Sequence, residues 1–190
     1  MFDLSKTTIK GHITIRDADT KEILVDKDNA INYEAMSLAL ARSLANKENG
    51  SIFNIAFGNG GSSIDSLGII TYLEPNVIGL NATLYNETYD KLVDDNSVEN
   101  NNTVENNMIV EHEDSKFYTD IIVTSTLDYG EPSGQQAFDT STTFTNDFVF
   151  DELGLKTEGG MLITHVIFHP IQKSLNRIIE IIYTLRISMC

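Results

Sequence analysis

Residues 53 to 63 read FNIAFGNGGSS. A strand-like apolar run ends at Phe57, and the next six positions hold three glycines, one asparagine and two serines. Two readings compete. As a phosphate-cradling loop the stretch makes the chain a nucleotide enzyme; as a sharp corner between strands it makes the chain a β-rich building block. A phosphate loop needs backbone amides aimed at the anion and a helix whose N-terminus faces it. A Walker loop also needs a lysine for the terminal phosphates, and no lysine lies between Lys47 and Lys91. A dinucleotide fingerprint needs a third glycine where Ser63 stands, and IDSLGIITY makes no convincing crossover helix. The stretch therefore reads as a corner that holds no ligand, with Gly58, Asn59, Gly60 and Gly61 supplying positive φ.

Working outward, the flanks are mostly strands. In TIKGHITIR, Ile9, Ile13 and Ile15 share one face, and Lys10, His12, Thr14 and Arg16 the other. Period two with β-branched residues marks a half-buried strand. DADTKE then turns the chain into EILVD, so residues 8–26 predict a hairpin. INYEAMSLALARSLANKENG predicts one α-helix over about 31–47. Asn32 is its expected N-cap and Glu34 its first-turn acid; Tyr33, Met36, Leu40 and Leu44 give its apolar face, and Gly50 its stop. Downstream, residues 108–113 and 117–128 predict paired strands. In the second, Phe117, Ile121, Val123 and Leu127 share a face. FVFDELGL, GGMLITHVIFHP and RIIEIIYTLRIS supply three more strands, the last with Ile179, Ile181, Tyr183, Leu185 and Ile187 inward.

Turns, not crossover helices, join these strands, which predicts antiparallel pairing. The expected fold is mainly β: an antiparallel β-sandwich with one flanking helix. It forms a single domain over 1–190 with long polar loops at about 74–107 and 128–147. DDNSVENNNTVENN, whose near-repeat is too short for a structural unit, reads as a mobile, low-complexity surface loop.

Composition narrows the partners. With 28 acidic against 13 basic residues the net charge is −15. Such a chain repels a nucleic-acid backbone and an anionic membrane surface, and the same acidity keeps a concentrated protein soluble. Only Lys156, Lys173, Arg177 and Arg186 are basic after residue 150, so charge alone names no interface. The one cysteine, Cys190, permits neither an intramolecular disulfide nor a cysteine zinc site. MFDLSKTTIKGH lacks a signal-peptide core, which predicts synthesis in a cytoplasm.

Candidate chemistry is sparse. Asp17, Asp19 and Glu22 resemble the start of a calcium loop. Its sixth position is Glu22 instead of glycine and its twelfth is Asp28 instead of glutamate, so a hairpin turn is the better reading. His165 and His169 share a strand face with Ile163 and Ile167. Four strand residues separate them by roughly 13 Å, too far to share a metal. Each is expected to be a satisfied structural histidine, with Glu180 as one possible cross-strand partner. Ser133 and Ser141 sit in polar loops away from any obvious base. No catalytic, cofactor or metal residue is assigned. Tyr72, Tyr85 and Tyr89 are the candidates if the chain instead stacks sugars.

The arrangement resembles virion structural proteins of large contractile-tailed bacteriophages. The likeness lies in a hairpin before NAINYEAMSLALARSLA, then IFNIAFGNGGSS, and far downstream FVFDELGLK, MLITHVIFHPIQKS and IIEIIYTLRIS. AFGNGGSSIDSLGIITYLEPN and DYGEPSGQQAF through HVIFHPIQKSLNR carry the nearest resemblance. A looser one extends to tail-fibre attachment domains and capsid decoration proteins. The resemblance implies a non-enzymatic, symmetric oligomer in the neck or tail of a virion. Its partners would be copies of itself and other virion proteins. It implies no catalytic residues.

Overall fold

The computed structural model describes residues 6–132, 149–174 and 176–189. Ser133, Ser141, Cys190 and most of the expected loop at 128–147, including most of DYGEPSGQQAF, lie outside these residues. Among the described residues the strands are β1 (Thr7–Asp17), β2 (Ile23–Ile31), β3 (Ile52–Gly58), β4 (Ser62–Ile64), β5 (Ile70–Tyr72), β6 (Glu87–Leu92), β7 (Asn107–His112), β8 (Tyr118–Leu127), β9 (Val149–Thr157), β10 (Thr164–Gln172) and β11 (Ile179–Met189). One helix, α1 (Tyr33–Leu44), follows β2.

Nine strands form one sheet in the order β6-β3-β9-β10-β2-β1-β11-β8-β7, and β4 and β5 form a separate two-stranded ribbon. Every pairing is antiparallel. The large sheet curls so that its two halves face each other. Ile15, Leu127 and Ile181 of one half border the same small void as Phe57, Phe150 and Leu153 of the other. The Phe57 and Phe150 rings lie 5.1 Å apart in a tilted pair, within the range aromatic pairs favour. This is the expected antiparallel β fold with one helix, built from a single folded-over sheet.

Period-two reading succeeds where one face is buried and the other wet. Ile9, Ile13 and Ile15 of β1 are buried, as are Ile179, Ile181, Tyr183 and Leu185 of β11. The two strands pair in register along their whole length, Thr7 opposite Met189 to Asp17 opposite Ile179. On the wet face the same register sets Arg16 against Glu180, and their side chains form an ion pair. Phe117 departs from the expectation: it precedes β8 and is exposed, so the buried row of β8 is Val123, Ser125 and Leu127.

The helix is capped as expected, with Asn32 Oδ1 accepting the Ala35 amide at 3.2 Å. Its buried residues differ from the expected stripe. Ala35, Met36 and Ala39 are buried, Leu40 is partly buried, and Tyr33 and Leu44 are exposed, Leu44 at 89%. Two alanines against the sheet let the helix axis approach closely, which turns the larger side chains at either end off the contact face.

The two edges of the sheet, β6 and β7, are joined by residues 93–106. This is the Asn-rich stretch, and it is tied in place. The Val93 amide donates to Phe53 O at 2.8 Å. Asn100 Nδ2 donates to the carbonyls of Asp94 (3.2 Å) and Asn106 (2.8 Å). Asn106 is buried, and its Oδ1 accepts from Ser125 Oγ at 3.0 Å and from the Thr126 amide at 3.1 Å. Lys91 of β6 meets both carboxylate oxygens of Glu131, at 2.5 and 2.6 Å, across the same seam. The expected polar loop at 74–107 thus contains strand β6 and a structured seam.

Candidate functional site at the glycine corner

β9 runs through the middle of one half of the sheet, and its sequence VFDELGLKT sets two acids inside an apolar run. Asp151, Glu152 and the facing His165 of β10 are all fully buried. The β9–β10 register shifts between Ile167 and Ile171. A bulge of this kind re-aims side chains and tolerates a proline such as Pro170.

Both acids reach the glycine corner. Glu152 Oε1 accepts the backbone amides of Gly60 (3.0 Å) and Asn86 (2.8 Å). Its Oε2 accepts the Tyr85 amide at 2.9 Å and faces His165 Nε2 at 3.0 Å. Asp151 Oδ1 accepts the Gly61 amide at 2.9 Å, and its Oδ2 accepts the Ser62 amide at 2.7 Å and the Ser62 hydroxyl at 2.5 Å. The corner does aim consecutive amides at an anion, as a phosphate loop would. The anion is the chain's own pair of carboxylates.

The histidine tautomer follows from its partners. The Asn76 amide donates to His165 Nδ1 at 2.8 Å. A backbone N–H only donates, so Nδ1 carries no proton and Nε2–H donates to Glu152. His165 is therefore neutral here, a satisfied structural histidine. Its partner is Glu152, not Glu180, which belongs to Arg16.

Burial by itself would raise Glu152. The hydrogen bonds from His165 and from the Asn86, Tyr85 and Gly60 amides outweigh that and hold it below the usual glutamate value. Asp151 goes the other way: burial raises it, the donors at Ser62 and Gly61 oppose, and the adjacent Glu152 charge adds to the rise.

The glycines are needed for a different reason than expected. None of Gly58, Gly60 and Gly61 has positive φ; that conformation belongs to Gly68, Gly79, Gly130 and Gly160. The corner needs room. A Cβ on Gly58 would stand 2.5 Å from Asn86 O and from Glu152 Oε1, and one on Gly60 would stand 2.7 Å from Asn86 N. A side chain at either position would push the amides off the carboxylate.

The consequence lies in residues 62–86. Their two ends, Gly60–Ser62 and Tyr85–Asn86, are clasped by neighbouring residues of one strand. Between the clasped ends an arm stands off the sheet, tied to the body by His165–Asn76 and by Asn32 Nδ2 donating to Gly79 O at 2.8 Å. The outer part of the arm is the β4–β5 ribbon, with every residue from Ser63 to Ile69 exposed.

The other candidates disperse. Asp17 accepts the amides of Asp19 (3.0 Å) and Thr20 (2.8 Å) and pairs with Arg177 Nε at 2.8 Å, so it organises the hairpin turn. Those bonds hold its carboxyl far below the usual aspartate value. His169 is exposed, with Nδ1 3.2 Å from the Tyr72 hydroxyl. His12 lies between Asp26 (2.7 Å) and Asp28 (2.9 Å), whose hydrogen bonds raise its pKa. Tyr72 and Tyr85 are exposed, whereas Tyr89 is partly buried and packs on Phe57 with ring centres 6.0 Å apart. The three tyrosines thus occupy a ribbon, the end of the arm and an edge strand.

Sequence reasoning missed Asp151, Glu152 and their link to the corner. The available signal was two adjacent acids inside VFDELGL and a histidine inside ITHVIF, because buried charge must be partnered. Among the described residues no helix is long and apolar enough to cross a membrane. Comparison with protein-family models, with curated proteins and with solved structures finds no match to this chain.

Proposed function

We propose that this chain is a non-enzymatic structural subunit of a tailed-phage particle, in the neck or tail, that works by assembling into a symmetric oligomer. The observation that carries the assembly role is the clasped arm and its uncovered apolar side chains. Leu67 is 82% exposed and Ile78 is 89% exposed, with Ile64, Ile69, Tyr72, Leu73 and Leu80 also exposed. Single exposed apolar residues are ordinary, whereas grouped ones mark interaction surfaces. A chain that invests two buried carboxylates in fixing such an arm has reason to keep it presented. The placement in a virion rests on the likeness of AFGNGGSSIDSLGIITYLEPN and of the FVFDELGLK to IIEIIYTLRIS region to phage structural proteins. The charge of −15 accords with a soluble subunit that does not recognise nucleic acid. Within this class, capsid decoration and fibre attachment are the neighbouring roles. Mass spectrometry of purified particles tests the placement, and absence of the chain from the particle ends it. A sugar-binding module is the second reading, kept by the exposed rings of Tyr72 and Tyr85. A glycan array without signal removes it.

A further inference from the structure

The arm is one of two apolar features left open in this molecule. The other is a pocket of about 330 Å³ between α1, the seam and strands β7, β8 and β11. Met36, Leu40, Met108, Ile121 and Ile187 form its walls, and Ser43, Asp95, Asn96 and Val110 lie at its mouth. Val110, on the edge strand, is 71% exposed.

We propose that the arm of one copy docks into the α1–β7 pocket of a second copy, head to tail. This rests on the assembly role above and names its two surfaces. The walls suit aliphatic side chains better than a small ligand, because ligand sites place a few convergent polar groups inside an apolar pocket to orient their guest. Here the polar residues gather at the mouth. The arm supplies such side chains at Leu67, Ile69, Leu73 and Ile78.

Area favours a protein partner of this size. The exposed apolar residues of the arm offer on the order of 800 Å² together, one partner's share of a standard interface. Charge points the same way. Residues 62–86 hold only Asp65 and Glu74 among 25 positions, in a chain that is 22% charged. Depletion of charge marks the core of an interface, and it spares two copies of a strongly acidic chain the repulsion their remaining surfaces would impose. Neither arm charge is basic, and Arg42 stands beside Gly50 in the pocket wall to receive an acidic neighbour. The clasp at both ends restrains the arm before docking, which lowers the ordering cost of association. Because the two surfaces differ, the contact is heterologous, and repeated with a closing rotation it generates a ring.

The test uses the full chain and two variants chosen at exposed positions, with circular dichroism to confirm that each folds. Leu67→Asp/Ile78→Asp disables the arm and Val110→Asp disables the mouth of the pocket. In sedimentation velocity, wild type is expected to self-associate. Each variant alone is expected to weaken that association by about 100-fold or more. Mixed in equal amounts, the variants are expected to form dimers and stop there, since the mixture retains one working arm and one working pocket per pair. A wild type that stays monomeric at about 100 µM, where even a weak self-contact would show, overturns the proposal. So does a Val110→Asp chain that associates like wild type, or a mixture that forms no dimer. A chain that is monomeric in solution yet present in purified particles removes this contact and leaves the virion role standing. A chain that complements as described but is missing from particles does the reverse.

Discussion

At the glycine corner, the carboxylates of Asp151 and Glu152 gather five backbone amides and one hydroxyl in a fully buried site. Along the Asn-rich seam, Asn100 and Asn106 do comparable work with neutral amides at a partly wet surface. Both regions are irregular backbone fastened by side chains. They differ in the strength of the fastener and in what it costs to bury. An ionised acceptor makes hydrogen bonds roughly twice as strong as a neutral one, and it survives burial only when nearly every lone pair is used. That explains why the corner converges so many donors on two residues. A neutral amide both donates and accepts, so it can bridge two strands of chain at a surface without a charged partner. The corner holds the arm; the seam holds the sheet's two edges together.

The comparison breaks most visibly at Glu152. Glu152→Ala removes the acceptor of three amides and the partner of His165 while all four stay buried. The expected loss is about 4 kcal/mol, in the range for breaking a buried charged network, read as a lowered midpoint in urea unfolding. A loss below about 1 kcal/mol would mean that water replaces the carboxylate at no great cost, and the clasp would then be incidental.

Next in size come the glycines, where space and conformation can be separated. Gly58→Ala places a methyl group 2.5 Å from both Asn86 O and Glu152 Oε1, and overpacking of this sort costs about 3 kcal/mol at the upper end. Gly68→Ala meets nothing within 4 Å but sits at φ +82°, so only the left-handed penalty of about 1 kcal/mol applies. Equal losses at both positions would refute the close-approach account of the corner.

These two glycine classes show what the sequence could and could not reveal. The β1–β2 hairpin, the β8 and β11 faces and the Asn32 cap were legible, because local periodicity and capping chemistry determine them. GNGG was legible as a corner too, through the lack of a lysine and of a following helix. Why it needs glycine was not. The reason is the approach of Asn86 and Glu152, residues distant in sequence that only the β3–β9 and β3–β6 pairings bring near. The helix face was misjudged for a related reason. Spacing identified an apolar stripe, but the preference for Ala35 and Ala39 over Tyr33 and Leu44 depends on how close the sheet comes. The Asn-rich stretch was read as drift because composition does not distinguish an idle asparagine from one that replaces a missing β-ladder.

The seam should yield less. Asn106→Ala strands the Ser125 hydroxyl and the Thr126 amide, at an expected cost of about 2 kcal/mol. Its pH behaviour sharpens the contrast with Glu152. A depressed glutamate contributes stability above its unfolded value of about 4.5, and that contribution is lost as pH falls through the lower folded value. The Glu152→Ala penalty should therefore shrink as the pH drops below about 4.5. Asp151 opposes this in the wild type. Its raised folded value makes its contribution present below about 3.8 and lost as the pH rises through that folded value. Taking the difference between wild type and Glu152→Ala removes most of that background. The Asn106→Ala penalty involves no titrating group and should stay level across the same range. Parallel curves for the two variants would mean that the clasp is not held by an ionised Glu152.

The smallest effect expected is at Val104, in the turn that precedes Asn106. Val104 is 86% exposed, and the groups that fasten its turn are backbone carbonyls: Asn107 Nδ2 donates to Thr103 O at 3.0 Å and to Val104 O at 2.9 Å. Val104→Ser preserves both bonds, so the change in stability should stay within about 0.5 kcal/mol, the usual range for a surface position. If self-association is unaltered as well, the seam's apolar residues are idle and the arm is the apolar surface that matters. A loss of self-association in Val104→Ser, with folding intact, would move the contact from the arm to the seam and reverse the roles assigned to the two regions.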